Sequence, residues 1–232
     1  MMRRLSNESK VTLIYKIMRD NISTGLWQDG DQYSSFDVAR KYGIGRTTVN
    51  DAIKILEKKG FVVILPNVGF KVNRISIQSI REYLEVRLAI EIIINKYLLR
   101  SKETEKISKI RDRFKLAITS FELGQHEVAL QGIEEYHLSI GDMLESHYVR
   151  NIFRETEDLE YYILSRIMVN KPDCFIQVLD IKAEYLKQIE HNDVQGSNQI
   201  LKRKNELILP CMQSILSEGG EIDATSEETL RN

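Results

Sequence analysis

Arg46-Thr47-Thr48-Val49-Asn50 puts a guanidinium, two hydroxyls and a carboxamide within a turn and a half of a predicted helix. Arginine can pair bidentately with guanine or grip a phosphate, asparagine suits adenine, and threonine suits a phosphate or a thymine methyl. At a helix N-terminus this set is suited to the major groove of duplex DNA. Arg40, Lys41, Lys54 and Lys71 are placed as phosphate contacts or solvated charges, and Asn67 and Gly69 fall in a turn beside them. A second constellation, Arg87 and Glu91, stands one helical turn apart and reads as an ion pair. A third, Glu134-Glu135-Tyr136-His137, contains Glu-x-x-His, but a di-iron site needs a second such pair and the chain has none. His137 alone therefore reads as a hydrogen-bonded histidine.

The first set must be positioned by a helix-turn-helix. Val11, Ile14, Tyr15 and Met18 recur at helical spacing over about residues 8–23. A second helix begins at Ser34-Ser35-Phe36-Asp37 and ends at Gly43, and a third runs from about Arg46 to Lys59. Ala39, Gly43 and Val49 supply the small contact, the permissive turn and the apolar anchor of the motif. Phe61–Leu65 and Phe70–Val72, joined by Pro66-Asn67-Val68-Gly69, read as a β-hairpin, the wing of a winged helix.

Beyond Ile75 no strand pattern appears. Six helices are expected: Ser79–Arg100, Thr104–Leu123, His126–Leu144, Val149–Val169, Asp173–His191 and Asp193–Ser217, with Pro210 kinking or ending the last. In the first of these, Tyr83, Val86, Ile90, Ile93 and Tyr97 make one apolar stripe; Ile80, Leu84, Leu88 and Leu98 make another, which also carries Arg87, Glu91 and Asn95. A helix apolar on two sides is expected to be packed on two sides. The fold class is thus mainly α: an N-terminal winged helix-turn-helix over residues 1–75, an all-α bundle over 76–218, and a polar tail over 219–232.

The whole chain has 232 residues and a formal net charge of −1, which seems to exclude a basic nucleic-acid binder. Counted by segment it does not. Residues 1–75 hold 13 Lys/Arg against 7 Asp/Glu, a net of +6, and the remainder has a net of −7. Cys174 and Cys211 are too few for a disulfide scaffold or a four-cysteine zinc site and read as packing residues. The N-terminus lacks the apolar run of a signal peptide, and no stretch is long enough to span a membrane, so a cytoplasmic location, on the nucleoid when DNA is bound, is expected. The absence of a Gly-x-Ser-x-Gly elbow, a phosphate-cradling loop and His-Glu-x-x-His argues against an enzyme.

Gly43-Ile44-Gly45-Arg46-Thr47-Thr48-Val49-Asn50-Asp51-Ala52-Ile53, then Leu56-Glu57-Lys58-Lys59-Gly60-Phe61-Val62 and the Pro66–Val72 wing, resemble the GntR family of bacterial transcriptional regulators. So does Gly25-Leu26-Trp27-Gln28-Asp29-Gly30-Asp31, with Asp29 where a proline is usual. Gly45 stands where the family usually has serine or threonine, and Asn50 where it has a second arginine, which implies a departure from the usual operator. Arg87-Leu88-Ala89-Ile90-Glu91 is similar to the start of the FadR-like effector domain, called FCD. The resemblance implies a homodimer that binds double-stranded DNA at a pseudo-palindrome, most simply as a repressor, and an all-α domain that takes a small anionic effector such as a carboxylate or an acyl-CoA. It also implies a metal site, of which one ligand of four, His137, survives; Ile133, Lys182 and Lys204 stand at the other positions. No metal or other cofactor is therefore expected. Arg87, Lys182 or Lys204 would supply the positive charge toward the effector, with Tyr136 and His137 as neutral partners. The rival reading is an architectural or protein-interaction factor whose cavity is filled and unresponsive.

Overall fold

The computed structural model describes residues 9–101 and 104–228. The chain divides into two compact units, with the division between Ile75 and Ser76.

The first unit contains α1 (Lys10–Ser23), β1 (Gln32–Tyr33), α2 (Ser35–Tyr42), α3 (Arg46–Lys58), β2 (Val62–Leu65) and β3 (Gly69–Val72). Ser9 caps α1 by accepting from the Thr12 amide. Ser34 caps α2 by accepting from the Asp37 amide at 3.0 Å, while its own hydroxyl donates to the Asp37 carboxylate. α2 ends at Gly43, whose φ of 63° lies in the left-handed region open to glycine, and the Ile44 amide turns back to the Ala39 carbonyl. Ile14 and Met18 from α1 meet Val49, Ala52 and Leu56 from α3 in a fully buried core. The wing is more than a two-stranded ribbon: β1 joins it, giving the antiparallel order β1-β3-β2 with Gln32 opposite Lys71 and Val63 opposite the same lysine. Trp27 stacks on Tyr33 and lies against Phe70, which ties the turn before β1 to the sheet. Burial, and then the Asp31 carboxylate that accepts its hydrogen bond, push the Tyr33 phenol up to about 12.

The second unit contains α4 (Ile77–Ser101), α5 (Thr104–Glu122), α6 (His126–Asp142), α7 (His147–Glu155), α8 (Glu157–Asn170), α9 (Pro172–Glu190) and α10 (Val194–Glu228). α5 packs on α6, α9 on α10, and α4 on α10, with α8 and α9 closing the middle. Three expectations fail, and of the two alternatives at Pro210 the one in which it ends the helix does. The helix expected over Val149–Val169 is two helices, because the Thr156 hydroxyl bonds back to the Phe153 carbonyl and Glu157, Asp158 and Glu160 open a new helix with acidic residues at its positive end. Pro210 lies inside α10 and does not end it; Ile208, Met212 and Ile215 are buried on both sides of it, and that packing outweighs the lost hydrogen bond. α10 then continues to Glu228 into the stretch expected to be a polar tail, since no proline follows Pro210 to stop it, while 229–232 lie outside the described residues. Cys174 and Cys211 are joined as a disulfide, because the packing of α9 against α10 sets residues 37 apart in sequence opposite each other.

Among the described residues no helix is long and apolar enough to cross a membrane. Among the described residues, Ile80, Leu84, Ile94 and Leu98 of one α4 stripe are buried, and of the other stripe Tyr83 and Ile90 are, while Val86, Ile93 and Tyr97 are exposed.

Candidate nucleic-acid interface and buried charge cluster

The N-terminus of α3 and the tip of the wing border one groove of about 460 Å³, lined by Arg46, Asn50, Lys54, Asn67 and Gly69 among the residues singled out from sequence. Val49, Ala52, Ile53 and Leu56 bury the inner face of α3, so Arg46, Thr47 and Asn50 stand exposed on the outer one. The Arg46 Nε donates to the buried Ser35 hydroxyl at 3.1 Å, which holds the guanidinium at the mouth of the groove. Asn67, with a φ of 62°, turns the chain at the tip of the wing. Arg40 pairs with Asp37 and lies over the Phe36 ring, Lys41 lies over Tyr42, and Lys54 pairs with Asp51. Thr47, Thr48, Arg40, Lys41 and Lys71 do not line the groove. Among the lining residues that escaped the sequence reading are Ser34, Ser35 and Phe36, because a helix start reads as capping before it reads as contact surface. Phe36 is 59% exposed there, an apolar side chain beside the reading helix.

In the helical unit, Arg87, Tyr136, His137, Lys182 and Lys204 come together around one cavity. Its volume is about 20 Å³, room for about one water. All three cations are already paired. Arg87 reaches Glu91 at 3.1 Å and Glu157 at 2.7 Å, donates to the Thr156 hydroxyl, and lies flat against Phe153. Lys204 donates to both oxygens of Glu91 at 2.8 Å. Lys182 donates to Glu160 at 3.0 Å and to His137 Nε2 at 2.9 Å, and the Tyr83 hydroxyl donates to the other Glu160 oxygen at 2.7 Å. His137 Nδ1 lies 3.1 Å from Glu157, so the imidazole donates there and accepts from Lys182, as a neutral ring must. Three glutamates thus balance three cations. Arg87 Nη2, on a side chain lining the cavity, is a buried donor with no acceptor among the described residues. Farther along α4, the Tyr185 hydroxyl donates to Asn95, and Asn95 donates to Asn198 and Ser197.

The donor set does not suit a divalent cation. Both His137 nitrogens are engaged, an ammonium stands against one of them, and among the described residues no three His, Cys, Asp or Glu side chains gather around a common point. The electrostatics favour the paired state instead. Burial opposes ionisation of Glu157, but Arg87 and His137 outweigh it and hold its carboxyl down to about 2. Burial is likewise outweighed at Glu160 by Lys182, Lys204 and Arg87, and at Glu91 by Lys204 and Arg87. Burial and Lys182 depress His137.

These directions set a pH dependence. A depressed histidine costs stability as pH falls below its unfolded value near 6.5, because the unfolded chain then takes the proton first. Depressed carboxyls contribute fully above about pH 4.5 and lose that contribution between about 4.5 and 2. The melting temperature of the helical unit is expected to decline gently below pH 6.5 and steeply below 4.5, with Glu157 alone contributing on the order of 3 kcal/mol. Circular-dichroism melts from pH 7 to 2 check this; a melting temperature that stays level down to pH 3 excludes the balanced cluster.

Residues 10–72 match the family described as bacterial regulatory proteins, gntR family. An uncharacterized HTH-type transcriptional regulator of Agrobacterium vitis, from the TAR-I ttuE-ttuC′ intergenic region, is 33% identical over 87 residues, which are 38% of this chain and 51% of that protein. The match thus spans about half the length of that relative. The gluconate operon transcriptional repressor of Bacillus subtilis is 24% identical over 230 residues, 94% of this chain and 93% of its own. The solved structure of Escherichia coli McbR/YncC has the same fold, with a TM-score of 0.73 at 14% identity over 91% of this chain and 99% of that one.

Proposed function

We propose that this chain, which belongs through residues 10–72 to the gntR family of bacterial regulatory proteins, is a DNA-binding transcriptional regulator that reads a pseudo-palindromic operator as a homodimer. One observation carries the reading: Arg46, Asn50, Lys54 and Asn67 line a single groove between α3 and the wing, where a helix of this kind meets base edges and the flanking cations meet phosphates. The +6 charge of the first 75 residues supports it, and the −7 remainder helps keep the helical unit off the phosphate backbone. Affinity for a duplex carrying the operator is expected to fall by about 10³-fold or more between 50 and 200 mM salt if six or more phosphates are neutralised. Arg46→Ala is expected to cost a further ~1–3 kcal/mol, about ten- to a hundredfold, with specificity relaxed at the base it reads. Fluorescence anisotropy over a salt series decides; salt-independent affinity, or no binding to any duplex selected from a random pool, rejects the function.

The helical unit reads as an FCD-type domain, its support being Arg87 and Glu91 on α4 and the convergence of Tyr136, His137, Lys182 and Lys204 on one cavity. Of the two readings of that cavity, its contents favour the filled one. A carboxylate or acyl-CoA effector would have to displace Glu91 from Lys204 or Glu160 from Lys182. Those glutamates already stand where an anionic ligand would, and the cluster takes no metal. Small carboxylates, sugar acids and acyl-CoAs are therefore expected to leave the melting temperature unchanged. A ligand present at about a hundred times its Kd would stabilise by about 2.7 kcal/mol, and a shift of that size from any of them restores the responsive reading.

A further inference from the structure

α9 and α10 form a helical hairpin. The turn at 191–193 joins them at one end, and the Cys174–Cys211 disulfide fastens them toward the other, with 6.9 Å between the two Cα atoms. Cys174 is buried in the first turn of α9, which Pro172 opens. Cys211 is half-buried and follows Pro210 inside α10. A proline has no N–H to give the carbonyl one turn back, so the bond braces α10 where its own ladder is weakest.

Between the turn and the disulfide lie the two lysines of the charge cluster. Lys182 stands eight residues after Cys174, and Lys204 seven residues before Cys211, about two helical turns in each case. The bond therefore fixes the register of the two helices that bring Lys182 to Glu160 and Lys204 to Glu91. The cavity beside them, at about 20 Å³, has no room for a metabolite as a signal. A bond that opens and closes two turns away can serve as one.

A chain that reads DNA works among reducing thiols, where a purely structural disulfide is rare and one that forms is transient, catalytic or redox-sensing. We propose that Cys174–Cys211 is a reversible modification site whose substrates are a small dithiol reductant and hydrogen peroxide. It rests on the proposed function for that setting alone. In reduction, a thiolate of the dithiol attacks Sγ of Cys211, the more accessible sulfur, and Cys174 leaves as a thiolate that takes up a proton. The reagent's second thiolate then displaces Cys211 and closes the reagent's own disulfide, so two electrons and two protons pass to the protein. In oxidation, one protein thiolate attacks a peroxide oxygen, giving a sulfenic acid and one water. The other thiol condenses with that sulfenic acid, re-forming the S–S bond and releasing a second water.

The chain has two cysteines, so alkylation counts its state directly: native protein in excess dithiothreitol, treated with iodoacetamide, is expected to gain two labels by intact mass. After removal of the dithiothreitol and addition of stoichiometric hydrogen peroxide it is expected to gain none. The bond ties residues 37 apart in sequence, and opening it frees that loop in the unfolded chain. The melting temperature of the helical unit is thus expected to fall by roughly 5–15 °C on reduction and to return on oxidation. Cys174→Ser and Cys211→Ser are each expected to melt as reduced wild type does and to ignore both reagents. The cycle on wild type decides the matter even if either variant fails to fold. A native protein that takes no label under dithiothreitol, a bond that peroxide does not re-form, or a melting temperature that reduction moves by less than about 2 °C overturns the site. A chain that cycles between the two states yet binds no duplex sustains this site and removes the DNA-reading function instead. One that binds its operator while the bond stays shut keeps that function and loses this site.

Discussion

Glu160→Ala is expected to destabilise the helical unit by about 3–5 kcal/mol, because it leaves buried charge without its partner. Glu160 is fully buried and accepts from Lys182 and from Tyr83, with His137 Nε2 a further 3.8 Å away. Its removal strands the Lys182 ammonium, which is itself 4% exposed, and removes the anion that balances the cavity. For a unit of this size the melting temperature should fall by roughly 10 °C. The double variant Glu160→Leu/Lys182→Met removes both charges and keeps volume, so it should recover much of the loss. A single variant that melts within about 2 °C of wild type would show that water reaches the site and screens it. A double variant no better than the single would mean that packing, and not charge, was lost.

The contrast between the two units explains what sequence reading can reach. In the first unit each role is local. Gly43 ends a helix because of its own φ, Ser34 caps three residues ahead, and Arg46 and Asn50 share a face one helical turn apart. The groove follows from neighbours within about thirty positions. β1 is different: two residues, Gln32 and Tyr33, carry no periodic signal and are strand only because β3 is beside them. In the second unit Lys182 and Lys204 could be placed by family register, but Glu157 and Glu160 could not, since glutamates on a predicted helix read as a solvated face. Their signal was a balance argument. Three cations expected in an interior require about as many anions, and the acidic opening of α8 before the apolar Tyr161–Val169 run was the place to look. The break at Thr156 is local, but the meeting of the two glutamates with Arg87 and Lys182 is a tertiary effect. So is the Cys174–Cys211 bond, which depends on which helices lie side by side. The exposed Val86, Ile93 and Tyr97 of α4 were legible as apolar, but not which of them the fold would leave uncovered.

Gly69→Ala is expected to abolish DNA binding without touching any group that meets DNA. Gly69 was singled out with the contact residues, and it does line the groove, but its own role is to let β3 pass the end of β1. With φ at 148° it lies where other residues are strained, and a Cβ there would come 2.0 Å from the Tyr33 carbonyl oxygen and 2.8 Å from the Ser34 Cα. Both are backbone atoms, so no side chain can swing aside. Relief requires parting β1 from β3, which loosens the Trp27–Tyr33–Phe70 stack and the Ser34 cap of α2 together. Overpacking of about 1–3 kcal/mol and backbone strain of similar size add at this position. In a unit this small each kcal/mol moves the melting temperature by about 4–8 °C. Calorimetry should show the transition of the first unit lowered by about 10 °C or more and that of the helical unit unmoved, with operator binding lost in parallel. Lys71→Ala, two residues along the same strand and exposed, is the counterpart. It should leave both transitions in place and, if Lys71 grips a phosphate, reduce the salt slope by about one. A Gly69→Ala protein that melts and binds as wild type does would show that β1 does not pair with β3 as described.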